Sequence, residues 1–294
     1  VRVLLPAAFL LSASAFSASA CCSSDDNGVA MAKSGLGESL PLAADLSLNP
    51  NWRVYGFERE GINYYQVNDL SGQVAVLTGA GSGIGKASAL TLAAAGAIIV
   101  GGDIDEAAAQ ATADEIGDSG GIASAVRTDV TSRAQVDALI DGAVASHGRI
   151  DIMGNIAGIP HNKMVAEVTD DEFERILAIN MKSVFYGCQG AIRHMIPQGS
   201  GNIINISSGA IDTPAPTLAC YAMTKAAVAM LTKTLATEVG PEGIRVNAVA
   251  PGVIHTNFSR HNYTDAEGNE DPERVEKYKK RFGSMAPLRR VGEA

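Results

Sequence analysis

The sequence predicts an α/β fold: a Rossmann-type, doubly wound parallel sheet in a single domain. Three observations point there. From Gly72 onward, short apolar runs alternate with helical patterns. The runs are apolar throughout rather than at every second residue, so both faces of the sheet are covered. A glycine-rich turn, TGAGSGIG at Thr78–Gly85, joins the first run to the first helical pattern.

The elements follow in order. QVAVLTG is a strand that ends in the glycine turn, and IGKASALTLAAAG is a helix stopped by its last glycine. AIIVGG is the second strand, followed by the alanine-rich helix DEAAAQATADEIG. ASAVRTD and DIMGN are the third and fourth strands, with the helical SRAQVDALIDGAVASHG between them. Asp170 to Ile196 reads as one long helix. GNIINIS is the fifth strand, Leu218–Gly240 the next helix and IRVNAVAPG the sixth strand. Strands of this length separated by helices form parallel βαβ units. Residues 257–285 then break the rhythm with a highly charged stretch that contains a helix from about Pro272. It follows the sixth strand, at the sheet end where ligands bind in such folds, so a substrate lid is expected there. The catalytic domain therefore covers 71–294, preceded by a polar lead-in arm over 31–70. That arm carries Trp52, Tyr55, Phe57, Tyr64 and Tyr65.

Composition narrows the function. The chain has 294 residues, 46% of them hydrophobic, and a net charge of -9. That balance offers no basic surface for nucleic acid. Cys21, Cys22, Cys188 and Cys220 show neither zinc-site nor disulfide-scaffold spacing, and the histidines lack one-turn pairing. No metal is expected, and reduced cysteines fit a cytoplasmic protein. Residues 1–30 stand apart. Their apolar stretch and the ASA before Cys21 resemble a secretory or lipoprotein signal. The apolar run is short for a membrane span. The other reading is upstream sequence ahead of an internal start at Met31.

The chemistry begins at the turn. Gly79, Gly81, Gly83 and Gly85 depart from the usual dinucleotide spacing, but a strand precedes them and a helix starts among them. Such a turn lets a pyrophosphate approach the backbone and meet the free N–H groups of the helix N-terminus. Ser82 and Ile84 belong to the same cradle. Asp103 ends the second strand, where a carboxylate accepts hydrogen bonds from ribose hydroxyls and repels the extra phosphate of NADP. The chain near it shows no offsetting arginine or lysine, which favours NAD. The competing role for Asp103 is a helix cap. Ile104 follows it. Asp129, with Val130, is placed to meet the adenine edge or to cap the next helix. Tyr221 and Lys225 lie one helical turn apart within LACYAMTKAAVAM and share a face. By itself that pair is a weak motif: a half-buried aromatic and a snorkelling lysine account for it equally well.

Taken together, the glycine turn, Asp103, Asp129, NIAG at Asn155–Gly158, Asn180, Ser208, Tyr221, Lys225 and the PG at Pro251–Gly252 occur in the order of the short-chain dehydrogenase/reductase family. The sequence resembles that family over about Leu70 to Ala294. The resemblance implies that Tyr221 is the general acid/base and that Lys225 lowers its pKa and binds the nicotinamide ribose. It implies that Ser208 holds the substrate oxygen, the family distance to Tyr221 selecting it over Ser207. Asn180 keeps open a water path, or simply bonds a backbone carbonyl. Asn155, Ala157 and Gly158 lie beside the adenosine ribose, mostly through backbone, while Pro251, Gly252, Ile254 and Thr256 hold the nicotinamide. The cofactor is NAD and the substrate a small-molecule alcohol or ketone. The resemblance also implies a homotetramer built on helices around Val184 and Val228.

Two departures from the family stand out. Ile156 replaces an asparagine, removing a polar brace from the fourth strand. APLRRVGEA matches a segment that leads in the family to another helix and a final strand, so the sheet is expected to lack that strand. Substrate contacts are expected from IPHNKM, including His161, and from an apolar wall of Ala210, Ile211, Pro214, Pro216 and Leu218. That wall fits an alicyclic, steroid-like or aliphatic secondary alcohol, with a sugar as the polar alternative. The rival functions are reduction of a carrier-bound 3-oxoacyl chain and non-catalytic nucleotide binding.

Overall fold

The structure is a computed structural model that describes residues 8–10, 53–59, 62–68, 70, 72–264, 269–284, 286 and 288–293. Cys21, Cys22, Met31 and most of the signal-like segment lie outside the described residues. Strand β1 (Ala8–Leu10) of the signal-like segment joins β2 (Arg53–Arg59) and β3 (Ile62–Asn68) of the lead-in in an antiparallel sheet of order β1-β3-β2. The sequence argues only for a polar arm there, so this hairpin is an addition.

The main sheet has six parallel strands, β4 (Val74–Thr78), β5 (Ile98–Asp103), β6 (Ile122–Arg127), β7 (Ile152–Asn155), β8 (Gly201–Ile206) and β9 (Ile244–Val249). Their order is β6-β5-β4-β7-β8-β9. The chain winds outward from β4 in one direction, returns to β7, and winds outward in the other. This reversal opens a crevice at the C-terminal strand ends between β4 and β7. β6 and β9 are the sheet edges among the described residues, and Val249 on β9 is exposed.

The continuous apolar runs have a direct cause. β4 is buried at all five positions, with successive side chains entering opposite cores. Val74 and Val76 join a core with Met153, Ile203 and Val246. Helices α3 (Arg133–His147), α5 (Ser183–Gln198) and α6 (Ala219–Val239) cover that face, through Leu139, Val184 and Val228 among others. Ala75 and Leu77 join the opposite core with Ile99. It is covered by α1 (Gly83–Ala94) through Ala89 and by α2 (Glu106–Asp118) through Ile116. Each such buried aliphatic side chain contributes about 1.5–3 kcal/mol. Val184 and Val228 are themselves core residues of this chain. The exposed apolar residues on their helices are Phe185, Ile196, Met223 and Met230.

The long helix predicted over 170–196 is interrupted. α4 (Asp170–Leu177) and α5 are separated by a π-turn, Ala178–Lys182, that contains Asn180. α4 opens with a capping box between Thr169 and Glu172. Glu172 also grips Lys163 at 2.8 Å, which fixes the loop after Gly158. The Lys163 ammonium holds the Glu172 carboxyl down at about 2. Beyond β9, the lid region contains a 3-10 helix, Asn257–Asn262, and α7 (Pro272–Gly283), capped by Asp271. Tyr263, Tyr278 and Val291 form a small core of its own. Where the sequence suggests only an approach to a further helix, β11 (Gly292–Glu293) pairs in parallel with β10 (Ile254–His255).

A buried polar chain ties β7, β8 and α6 together. Asn155 Nδ2 donates to Asn205 Oδ1 at 2.8 Å, and Asn205 Nδ2 donates to Thr232 Oγ1 at 2.9 Å. Asn205 is wholly buried, so replacing it strands both partners without water. Asn205→Ala is expected to destabilise the fold by about 2–4 kcal/mol in urea denaturation. A loss below about 1 kcal/mol would show that the chain is not a structural tie.

Candidate active site

The crevice holds a cleft of about 360 Å³, within the range of small-molecule sites. One end is the glycine turn. Gly79 has φ +74, and a Cβ there would sit 2.9 Å from Ala157 Cα. A Cβ on Gly85 would sit 1.8 Å from Gly79 O, so only glycine lets α1 start this close to β4. Ser82 makes no side-chain cap, and α1 has no acid in its first turn. The N–H groups at Gly83, Ile84 and Gly85 are thus left for an anion, with the helix dipole behind them. Gly79, Ser82, Gly83, Ile84 and Gly85 all line the cleft. Gly81 does not; its N–H donates to Asp103 Oδ2 at 2.9 Å.

Asp103 and Ile104 line the same end. The second Asp103 oxygen accepts from Asp105 N at 3.0 Å. Asp105, not Asp103, caps α2, so the capping alternative for Asp103 fails. Strand pairing corrects a second expectation: Arg127 on β6 is the register partner of Asp103, a cation that sequence distance hides. No salt bridge joins the two among the described residues. Asp129 and Val130 also line the cleft. Asp129 accepts from Thr131 N at 2.9 Å, while Ser132 caps α3.

The NIAG segment is held by Thr78, whose Oγ1 accepts from Ile156 N at 3.1 Å and Ala157 N at 3.4 Å. Ile156 packs into the core beside Leu77 and does not weaken this brace. Ala157 and Gly158 line the cleft. Asn155 does not; its side chain turns into the core toward Asn205, away from any ribose. Past β9, Pro251, Gly252, Ile254 and Thr256 line the far side.

Ser208, Tyr221 and Lys225 line the other end. Ser207 Oγ donates to Lys225 O at 3.0 Å and is consumed by α6. Ser208 Oγ accepts from Ala210 N at 3.2 Å, and its hydroxyl lies close enough to Tyr221 to favour the phenolate. Lys225 is buried, with Nζ 5.8 Å from the Tyr221 ring centre and donating to Ile206 O at 2.9 Å. Burial lowers the Lys225 ammonium to about 8. Burial also raises the Tyr221 phenol, which the Ser208 hydroxyl partly offsets. Against the expectation that Lys225 lowers the phenol pKa stands the loss of water, which acts in the opposite direction.

Asn180 is fully buried and does not line the cleft. Its Oδ1 accepts from Ile159 N at 2.8 Å and its Nδ2 donates to Ile159 O at 2.9 Å. A Cβ on Gly158 would lie 3.4 Å from Asn180 Oδ1 and 3.5 Å from Lys225 Nζ, so that glycine keeps the space between them open. The apolar substrate wall is not the expected one. Ala210, Ile211, Pro214, Pro216 and Leu218 stay outside the cleft, as does His161. Ile159, Ile206, Ile254 and Phe258 supply apolar lining instead, and Arg175 and Ile179 come from α4 and the π-turn. The signals for these are faint: Phe258 lies two residues beyond Thr256, and Arg175 and Ile179 are one helical turn apart.

The Lys225 pKa has a stability consequence. Its folded value of about 8 lies below the ordinary 10.5, so the unfolded chain holds more protons between them. Stability then rises as pH climbs through that window. Lys225→Met is expected to be more stable than the native chain at pH 7, by on the order of 3 kcal/mol less the bond to Ile206. The gap should close toward pH 10.5. Thermal melts across this range check it, and a less stable variant at pH 7 would refute the burial argument.

The comparisons with known proteins agree with this geometry. The short chain dehydrogenase family model matches residues 73–267. The chain is 40% identical over 210 residues to 3beta-hydroxysteroid dehydrogenase 1 of Eggerthella lenta, covering 71% of this chain and 80% of that protein. It resembles the crystal structure of 3-ketoacyl-(acyl-carrier-protein) reductase from Brucella melitensis complexed with NADH, with TM-score 0.67 and 34% identity over 76% of this chain and 87% of that one. It also resembles NAD+-bound xylitol dehydrogenase, with TM-score 0.69 and 32% identity over 76% of this chain and 88% of that one. A family match across the whole crevice, on a sheet of the right winding, makes this chain a member of the short-chain dehydrogenase family and an NAD(P)-dependent oxidoreductase.

Proposed function

We propose that the chain interconverts a secondary alcohol and a ketone using NAD, with Tyr221 as the general acid/base. The observation that carries this reading is the convergence of Ser208, Tyr221 and Lys225 at one end of a cleft whose other end is a helix N-terminus lined with glycine. The residues fit a dinucleotide: the turn leaves N–H groups for its phosphates, and Asp103 can accept from a ribose. When bound, the nicotinamide supplies or accepts the hydride.

The chain's own residues handle the proton and the charge. In oxidation Tyr221 Oη takes the hydroxyl proton of the substrate, and in reduction it returns one. Ser208 Oγ donates to the substrate oxygen as negative charge develops there. Lys225, held near a pKa of about 8, can pass a proton at physiological pH where an ordinary lysine cannot. The opening beside Gly158 gives that proton a route past Asn180. Asn180 acts by pinning Ile159 at both its N–H and its carbonyl.

Asp103 favours NAD, because its carboxylate meets the position of the extra phosphate in NADP. Reduction of a carrier-bound 3-oxoacyl chain is the second reading, supported by the likeness to the Brucella enzyme. The net charge of -9 opposes docking of an acidic carrier.

Tyr221→Phe keeps the packing ring and removes the proton. Turnover should fall by about 10²–10⁴ while NADH affinity, followed by its fluorescence, stays near the native value. Native-level turnover would rule Tyr221 out. Asp103→Ala should lower the ratio of NADPH to NADH dissociation constants by at least about tenfold, because one repulsive charge goes and Arg127 remains alongside. A native chain that binds NADPH more tightly than NADH would overturn the charge argument.

A further inference from the structure

We propose that Phe258 selects the body of the substrate and shields Tyr221 from water, so that the site takes secondary alcohols carried on a ring in preference to small open-chain or polyhydroxylated ones. This rests on the alcohol–ketone reading above and extends it to substrate class. The Phe258 ring centre lies 5.9 Å from that of Tyr221, with the planes tilted by 57°. That is an aromatic pair in a favourable geometry, made by the very ring that carries the reacting phenol. Phe258 nonetheless remains 39% exposed and lines the cleft. A large apolar ring left half-open beside a reacting group is surface for a ligand to cover.

The ring is held in place from behind. It stands in the first turn of the 3-10 helix Asn257–Asn262. The Thr256 carbonyl just before it accepts from Tyr263 Oη at 2.7 Å and from Ser259 N at 3.0 Å. Tyr263 is itself buried in the small lid core. Ile159, the other apolar residue fixed at its backbone, lines the same cleft. A flat alicyclic body can lie against such surfaces and gain from each covered carbon. A polyol would press hydroxyls against carbon with no partner, which costs it affinity. An alcohol with only methyl groups is too small to cover the ring.

The second role follows from position. Three groups beside Tyr221 are Ser208 just beyond β8, Lys225 on its own helix and Phe258 from beyond β10, and Arg175 is a further charged group lining the same cleft. Among these three Phe258 contributes apolar cover. Removing it should admit water to the phenol and let its pKa fall.

The test measures kcat/KM for cyclohexanol, 2-propanol and xylitol with NAD, for the native chain, Phe258→Ala and Phe258→Leu. The native chain should prefer cyclohexanol to both others. In F258A the cyclohexanol to 2-propanol ratio should fall at least about tenfold, and F258L should recover part of it. The midpoint of the pH–rate profile for 2-propanol oxidation should move to lower pH in F258A. A ratio unchanged in F258A, an unmoved midpoint, or a native preference for xylitol would each overturn the proposal while leaving the oxidoreductase reading intact. A native chain that oxidises no alcohol and reduces no ketone would instead defeat both.

Discussion

The contact on which the site depends is the approach of α1 to the end of β4. A Cβ on Gly85 would fall inside the Gly79 carbonyl, so no other residue permits it. The same turn touches three of the other strand ends that build the cleft. Gly79 N donates to Gly102 O on β5 at 2.8 Å, Gly81 N reaches Asp103, Gly79 abuts Ala157 beyond β7, and Gly83 abuts Thr256 beyond β9. A larger side chain in the turn would therefore press on Ala157, Asp103 and Thr256 together. The glycines set distances between elements as well as bending the chain.

The opposite end of the cleft is governed by burial rather than by close approach. Tyr221 and Lys225 are both removed from water, and each loses stability in its charged form. For the lysine this brings the proton affinity close to neutrality. For the tyrosine it works against the phenolate, and the Ser208 hydroxyl partly offsets that cost. The fold tolerates the buried lysine because Ile206 O receives its ammonium. This is an example of a functional group kept at the expense of stability.

Much of this was legible in the sequence. The six parallel strands and their winding follow from apolar run lengths, because a sheet buried on two faces leaves no other pattern. The glycine turn and the Tyr221–Lys225 spacing are local, so they read directly. What the sequence hides are facts of register and direction. Arg127 stands beside Asp103 only because β5 and β6 pair in that register. Asn155 turns inward because Gly187 leaves room for it: a Cβ there would lie against Asn155 Oδ1. The π-turn at Asn180 breaks no rule of composition, since Ala178–Lys182 has ordinary helix formers. The prolines after Ser208 read as an apolar wall, yet Pro214 and Pro216 are exposed and Phe258 lines the cleft. The charge of Lys225 is visible in the sequence, while the water lost on burying Tyr221 is not.

The lid explains how a residue such as Phe258 can differ without disturbing the rest. Tyr263, Tyr278 and Val291 pack among themselves, apart from the two cores that flank the sheet. His255 stacks on Tyr263 at 4.9 Å, and among the described residues β10 pairs with β11 alone. This segment thus has its own packing and meets the cleft side through the bonds of Tyr263 Oη and Ser259 N to Thr256 O, the His255–Tyr263 stack and the β10–β11 pairing. Changes on its inner surface alter what faces Tyr221 while the glycine turn and the catalytic helix keep their positions. On the proposed reading, binding of the dinucleotide and recognition of the substrate body would rest on separately packed units. This separation is what allows one chemistry to be directed at substrates of different shape.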